Sequence, residues 1–164
     1  MEASQEIVCA CLLASFGVLY LLRKSMNRTA DYMYDGVWDH HKTSFVNLDV
    51  EQTVADYSAE CKIVTFNEKT GEKRVYLGTN GAREFFSLLF SRLKGADGKF
   101  TDGFQFREGM GPKTDDDGSG ATVFIGWTSV SPTYEFLWAT DTFVMRPSDG
   151  KFVRHYIYFH GKSS

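Results

Sequence analysis

Hydrophobic positions divide the chain into an apolar run, a stretch of helical period and a longer stretch of strand period. Residues 7–22, IVCACLLASFGVLYLL, carry no charge. As a helix this run would extend about 24 Å, somewhat short of a bilayer core. Ala3 and Ser4 could lengthen it. Glu2 and Glu6 precede it, and Arg23, Lys24 and Arg28 come after it. A cleaved signal peptide starts with positive charge instead. The pattern predicts an N-terminal hydrophobic helix acting as a single membrane anchor, with the C-terminal domain in the cytosol. The alternative is an apolar helix packed on the domain or at a dimer interface of a cytoplasmic protein. Either way, residues 1–28 separate from a domain over residues 29–164.

Thr29 can cap a helix. Tyr34, Val37, Trp38, His41 and Phe45 then fall at i, i+3, i+4, i+7 and i+11, which is one helical face. The second histidine of DHHKTSF, His41, therefore points where Trp38 and Phe45 point. Asp49 suits an N-cap, with Gln52 three residues on as a capping box requires. Val50, Val54 and Tyr57 line the inner side of that short helix. The period next becomes two. CKIVTF and KRVYLG read as strands around NEKTGE. TNGAREFFSLLFSRLKG returns to helical spacing through Ala82, Phe85, Phe86, Leu89 and Leu93. Further strands lie near Phe104 to Arg107 and in ATVFIGWTSV, YEFLWATDTFVM and KFVRHYIYFH, with GPKTDDDGSG as a long turn. Such an order lacks the alternation that a doubly wound parallel sheet needs. It predicts an α+β fold, a curved antiparallel sheet wrapped around helices as a cone-shaped barrel.

Composition narrows the function classes. Of 164 residues, 43% are apolar and 15% aromatic, enough for a real core. A net charge of −3 without a basic patch argues against nucleic acid as a partner. The three cysteines form neither a disulfide framework nor a C-x-x-C pair, as expected of a reducing compartment. DDDGSG begins like a calcium loop, but Gly126 stands where the closing glutamate belongs. His155 and His160, five apart on a strand, face opposite sides and make no metal pair. No cofactor-binding motif is present, and no metal or cofactor is expected.

Asp141 stands out chemically. Along EFLWATDTFVM it alternates with Leu137, Ala139, Phe143 and Met145 on one face. A carboxylate there is costly unless paired, hydrogen-bonded or protonated. His41 would be its partner or a second proton relay. Trp38, Tyr57, Phe86, Trp127, Phe143 and Tyr156 would line an apolar pocket with polar tips.

Three strings carry a family resemblance. HKTSFVNLDVEQTVADYSAECKI, GTNGAREFFSLLF and WATDTFVMRPSDGKFVRHYIYF, in this order over residues 29–160, resemble the signatures of the SnoaL-like branch of the nuclear transport factor 2-like superfamily. The resemblance implies a cone of curved sheet closed by helices, an inner cavity and a homodimer formed through the sheet. In the ketosteroid isomerase branch a first-helix tyrosine, a base near the first strand and a second acid act together. His41 takes the tyrosine's place and Asp141 that of the second acid. The base falls near Thr65, where no carboxylate stands, though Asn67 and Glu68 are close. SnoaL-like cyclases use the aspartate at the Asp141 position itself as acid/base. The expectation is a small-molecule-binding domain for an apolar or carbonyl-containing ligand. It would be a cofactor-independent lyase, cyclase or isomerase in which Asp141 moves a proton and His41 hydrogen-bonds the oxyanion. The alternative is a non-catalytic, membrane-tethered binding or dimerisation module.

Overall fold

The computed structural model describes residues 31–115 and 118–163. The predicted anchor and linker, residues 1–28, lie outside them. Helix α1 covers residues 31–46. Its buried stripe is Tyr34, Trp38 and His41, with Val37 and Phe45 half-buried, as the periodicity requires. It ends at Leu48, which takes the left-handed conformation (φ 55°). Leu48 N–H donates to Phe45 C=O and Asp49 N–H to Ser44 C=O, satisfying the last carbonyls of the helix. Helix α2, Val50–Ala55, starts at once, and the Asp49 side chain accepts from Gln52 N–H at 3.0 Å. The two helices form a tight corner.

Six strands complete the domain: β1 Tyr57–Asn67, β2 Glu72–Leu77, β3 Gln105–Thr114, β4 Ala121–Val130, β5 Tyr134–Met145 and β6 Phe152–Ser163. Helix α3, Gly78–Leu93, lies between β2 and β3. The strands make one curved, unclosed sheet in the order β2-β1-β6-β5-β4-β3. Two expectations need correcting. The sheet is not a closed barrel, since β2 and β3 are free edges. Nor is it wholly antiparallel, because β1 and β6 pair in parallel, from Tyr57↔Phe152 to Asn67↔Phe159. Strand β3 is also longer than expected and takes in GPKT from the anticipated turn. Along β5, a register shift between Phe136 and Trp138 turns Leu137 outwards, away from the face shared by Ala139, Asp141, Phe143 and Met145.

The core sits between the concave side of the sheet and the helices. Helix α3 gives it Ala82, Phe85, Phe86, Leu89, Phe90 and Leu93. Gly81 allows this close approach, since a Cβ there would lie 2.8 Å from the Tyr76 carbonyl carbon. Gly78, at φ +64°, makes the turn from β2 into α3.

Candidate functional site

One wall of an aromatic cavity is α1, and its floor is β4, β5 and β6. Its volume is about 230 Å³. Trp38, Phe45, Phe86, Leu89, Phe104, Ile125, Trp127 and Phe143 supply the apolar lining. Four polar side chains belong to its lining: the exposed Lys42 and the buried His41, Asp141 and His155, which are 3%, 6% and 2% exposed.

Strand alternation builds the floor. Asp141 lies opposite Ile125 on β4 and Ile157 on β6, so Trp127 and His155 are its diagonal neighbours on the same face. Both reach it. Trp127 Nε1–H donates to Asp141 Oδ2 at 2.5 Å, and His155 Nε2 lies 3.3 Å from Oδ1. On its other side His155 Nδ1 meets the Tyr57 hydroxyl at 2.8 Å. Burial pushes the Tyr57 hydroxyl well above its ordinary range, with Asp141 adding to the effect. Burial lowers the His155 imidazole, against the opposing pull of Asp141. A protonated tyrosine beside a neutral histidine fixes the direction of the chain. Tyr57 O–H donates to His155 Nδ1, and His155 Nε2–H donates to Asp141. Thus the buried carboxylate accepts a hydrogen bond on each oxygen, the condition under which it can be buried.

The corner between α1 and α2 builds the wall. It returns the chain so that Asp56, the C-cap of α2, lies beneath α1. His41 Nδ1 is 3.2 Å from Asp56 Oδ2, and His40 Nδ1 is 2.7 Å from Oδ1. One carboxylate, 6% exposed, thus holds two consecutive histidines. The Asp56 carbonyl also accepts from Phe152 N–H at 2.9 Å, tying the corner to β6. The His41 ring is packed by Trp38, Phe143 and Phe152, with centroids at 5.8, 5.5 and 4.9 Å. With Nδ1 on Asp56, Nε2 is the nitrogen left for the cavity. It makes no hydrogen bond among the described residues.

No protein-family model matches the sequence, and no curated protein is similar to it. Solved structures are similar in fold. A protein from Novosphingobium aromaticivorans, provisionally named a scytalone dehydratase, superposes with a TM-score of 0.57 at 10% identity, over 86% of this chain and 91% of that one. An NTF-2-like protein of unknown function from Burkholderia xenovorans gives 0.52 at 15% identity, over 79% and 84%. A protein from Xanthomonas campestris, provisionally named a polyketide cyclase, gives 0.50 at 14% identity, over 80% and 93%. This is the nuclear transport factor 2-like fold. At such identities the likeness is one of architecture, and chemistry must come from the site.

Within this fold, the residues singled out from sequence separate into three groups. Trp38, His41, Phe86, Trp127, Asp141 and Phe143 meet at the cavity. Tyr57 is buried behind His155 and acts on it, not on the cavity. Tyr156 is on the outer face of β6 and 45% exposed, because its neighbours His155 and Ile157 take the inner face. The expected partnership of His41 with Asp141 is replaced by two separate ones, His41 with Asp56 and Asp141 with His155. Neither Asp56 nor His155 is among the site residues expected from sequence. His155 could have been found by its alternation with Ile157 and Phe159. Asp56 sits at a helix–strand junction, where no period applies. Thr65, at the vacated base position, opens onto a neighbouring cavity instead.

Proposed function

We propose that the domain binds a largely apolar small molecule carrying a carbonyl or hydroxyl group and moves a proton on it, as a lyase, cyclase or isomerase does. The observation that carries this reading is the His41 imidazole, whose Nδ1 is held by a buried carboxylate while Nε2 is left for an aromatic cavity. The His41 side chain is the proton carrier. Its Nε2 takes a proton from the ligand, and Asp56 steadies both the tautomer and the imidazolium that forms. Asp141 is the second polar group. Held by Trp127 and His155, it keeps lone pairs that accept from a ligand hydroxyl and orient it, and the proton held on His41 Nε2 returns from there to another atom of the ligand or to the departing hydroxyl. Rings on both sides exclude water and strengthen these contacts. The roles differ from those expected from sequence, which make Asp141 the proton carrier and His41 the oxyanion donor. The names of the neighbouring dehydratase and cyclase structures agree with this reaction class.

Hydrogen exchange tests the reading. The full chain is incubated in D₂O with a series of apolar ketones and hydroxyketones, and deuterium uptake or loss of water is followed by mass spectrometry. At least one ligand should react faster than in buffer. His41→Gln should slow it by about 10²–10⁴-fold and Asp56→Asn by less, with binding retained in both. Equal rates in wild type and His41→Gln for every ligand that binds would remove the catalytic role.

A second reading, a non-catalytic dimerisation module, is favoured by one feature of the outer face. Phe66, Tyr158 and Trp138 stack in a row across β1, β6 and β5, with centroid separations of 5.1 Å on each side of Tyr158.

A further inference from the structure

A second cavity, of about 50 Å³, opens between α3 and the β1–β2 edge of the sheet. It differs from the first in chemistry. Its inner surface is made by Phe136, Ile157 and Phe159 from the sheet and Phe85, Leu88 and Leu89 from α3. Its charged groups are mostly cationic. Arg74 belongs to β2 and Arg92 to the last turn of α3. Thr65, 7% exposed, lies at the base, and its hydroxyl makes no hydrogen bond among the described residues.

The charges do not cancel. Among the described residues Glu72 is the one carboxylate in the lining, and it accepts from Arg74 Nε at 2.7 Å. The Tyr76 hydroxyl lies beside the same guanidinium, which keeps further N–H groups for a ligand. Arg92 lies 4.5 Å over the Tyr134 ring and forms no ion pair among the described residues. Two guanidinium groups therefore face one carboxylate, in a chain whose net charge is −3. Guanidinium groups match a carboxylate in geometry as well as charge. A short apolar surface below them suits a carboxylate that carries a hydrocarbon tail better than a bare, strongly hydrated anion.

We propose that this cavity is a second binding site, for a small aliphatic carboxylate held between Arg74 and Arg92 with the Thr65 hydroxyl at its base. The site is independent of the proton-transfer reading, since none of its polar groups belongs to the His41–Asp56 or Asp141–His155 pairs. It does share Trp127 and Leu89 with the aromatic cavity. Trp127 therefore reports on it, through an indole N–H that is already held by Asp141.

The test is an NMR titration of the full chain with sodium butyrate, following the Trp127 indole N–H, the Thr65 amide and the Arg92 Nε–H. Butyramide, inorganic phosphate and chloride at matched ionic strength serve as controls. Butyrate should give saturable shifts at all three signals, and butyramide none. Arg92→Gln and Arg74→Gln should each weaken binding about tenfold. Arg74 is exposed, so its substitution leaves the fold intact, which the rest of the spectrum checks. The proposal is overturned by the absence of saturable shifts or by shifts that survive both substitutions. It is also overturned if butyramide or phosphate binds as well as butyrate, the latter marking an unselective anion site.

Discussion

At the scale of single residues, two buried carboxylates organise the polar groups around the cavity, and each is held by its neighbours. Asp141 has an indole and an imidazole, while Asp56 has two imidazoles. Of these four rings, His155 carries the clearest dependence on pH. Burial holds its folded-state pKa below the unfolded value of about 6.5. The unfolded chain therefore binds the proton more readily. The contribution of neutral His155 to stability is present above about pH 6.5 and is lost as pH falls through the folded pKa. Thermal denaturation between pH 7.5 and 5 (about one unit either side of 6.5) should show a falling melting temperature in wild type. The slope should be shallower in His155→Gln, which has no imidazole to charge. Equal slopes would mean that His155 is not the group responsible. Asp141 was legible through alternation along β5, and His41 through the i, i+3, i+4 stripe. Which residues they pair with was not. Partnership across 14 or 15 residues depends on a diagonal between strands and on a helical corner, and neither leaves a period in the chain.

At the scale of elements, local rules decide where helices begin and tertiary contacts decide how strands pair. Asp49 begins α2 as its capping position implies, and α2 has only six residues, from Val50 to Ala55. So short a helix is not stable alone. Asp49→Ala should cost about 1 kcal/mol in urea denaturation, the usual value of an N-cap. A cost near zero would show that packing of Thr53 and Val54 alone holds the corner. The helices and most strands were legible because burial on one face imposes a period. The parallel pairing of β1 with β6 was not, since alternation is the same for parallel and antiparallel neighbours. Nor was the full length of β3, an edge strand whose exposed glycines and half-buried proline resemble a turn in sequence.

At the scale of the whole molecule, the sheet has two unlike faces. The inner one is closed by helices. The outer one carries the Phe66–Tyr158–Trp138 row, with Val75 and Tyr156 about half exposed beside it. An apolar row of this kind on a sheet marks a contact surface. Sedimentation of the full chain should show a dimer, and Tyr158→Lys should shift it towards monomer without unfolding it. A wild-type monomer would leave the row without the partner proposed for it.

The parallel pairing of β1 with β6 also orders events in time. β1 is the first and β6 the last of the described strands to be synthesised, and residues paired across them are 92 to 95 positions apart. Until β6 leaves the ribosome, β1 lacks its central neighbour and Asp141 lacks His155. The cavity floor is thus completed only with the last of the described strands. A chain lacking β6 would carry an unpaired strand edge in the middle of its sheet and a buried carboxylate without its histidine, a form open to aggregation. Long-range pairing of this kind is slow to form. Assembly of the proposed site and completion of the sheet are therefore one event.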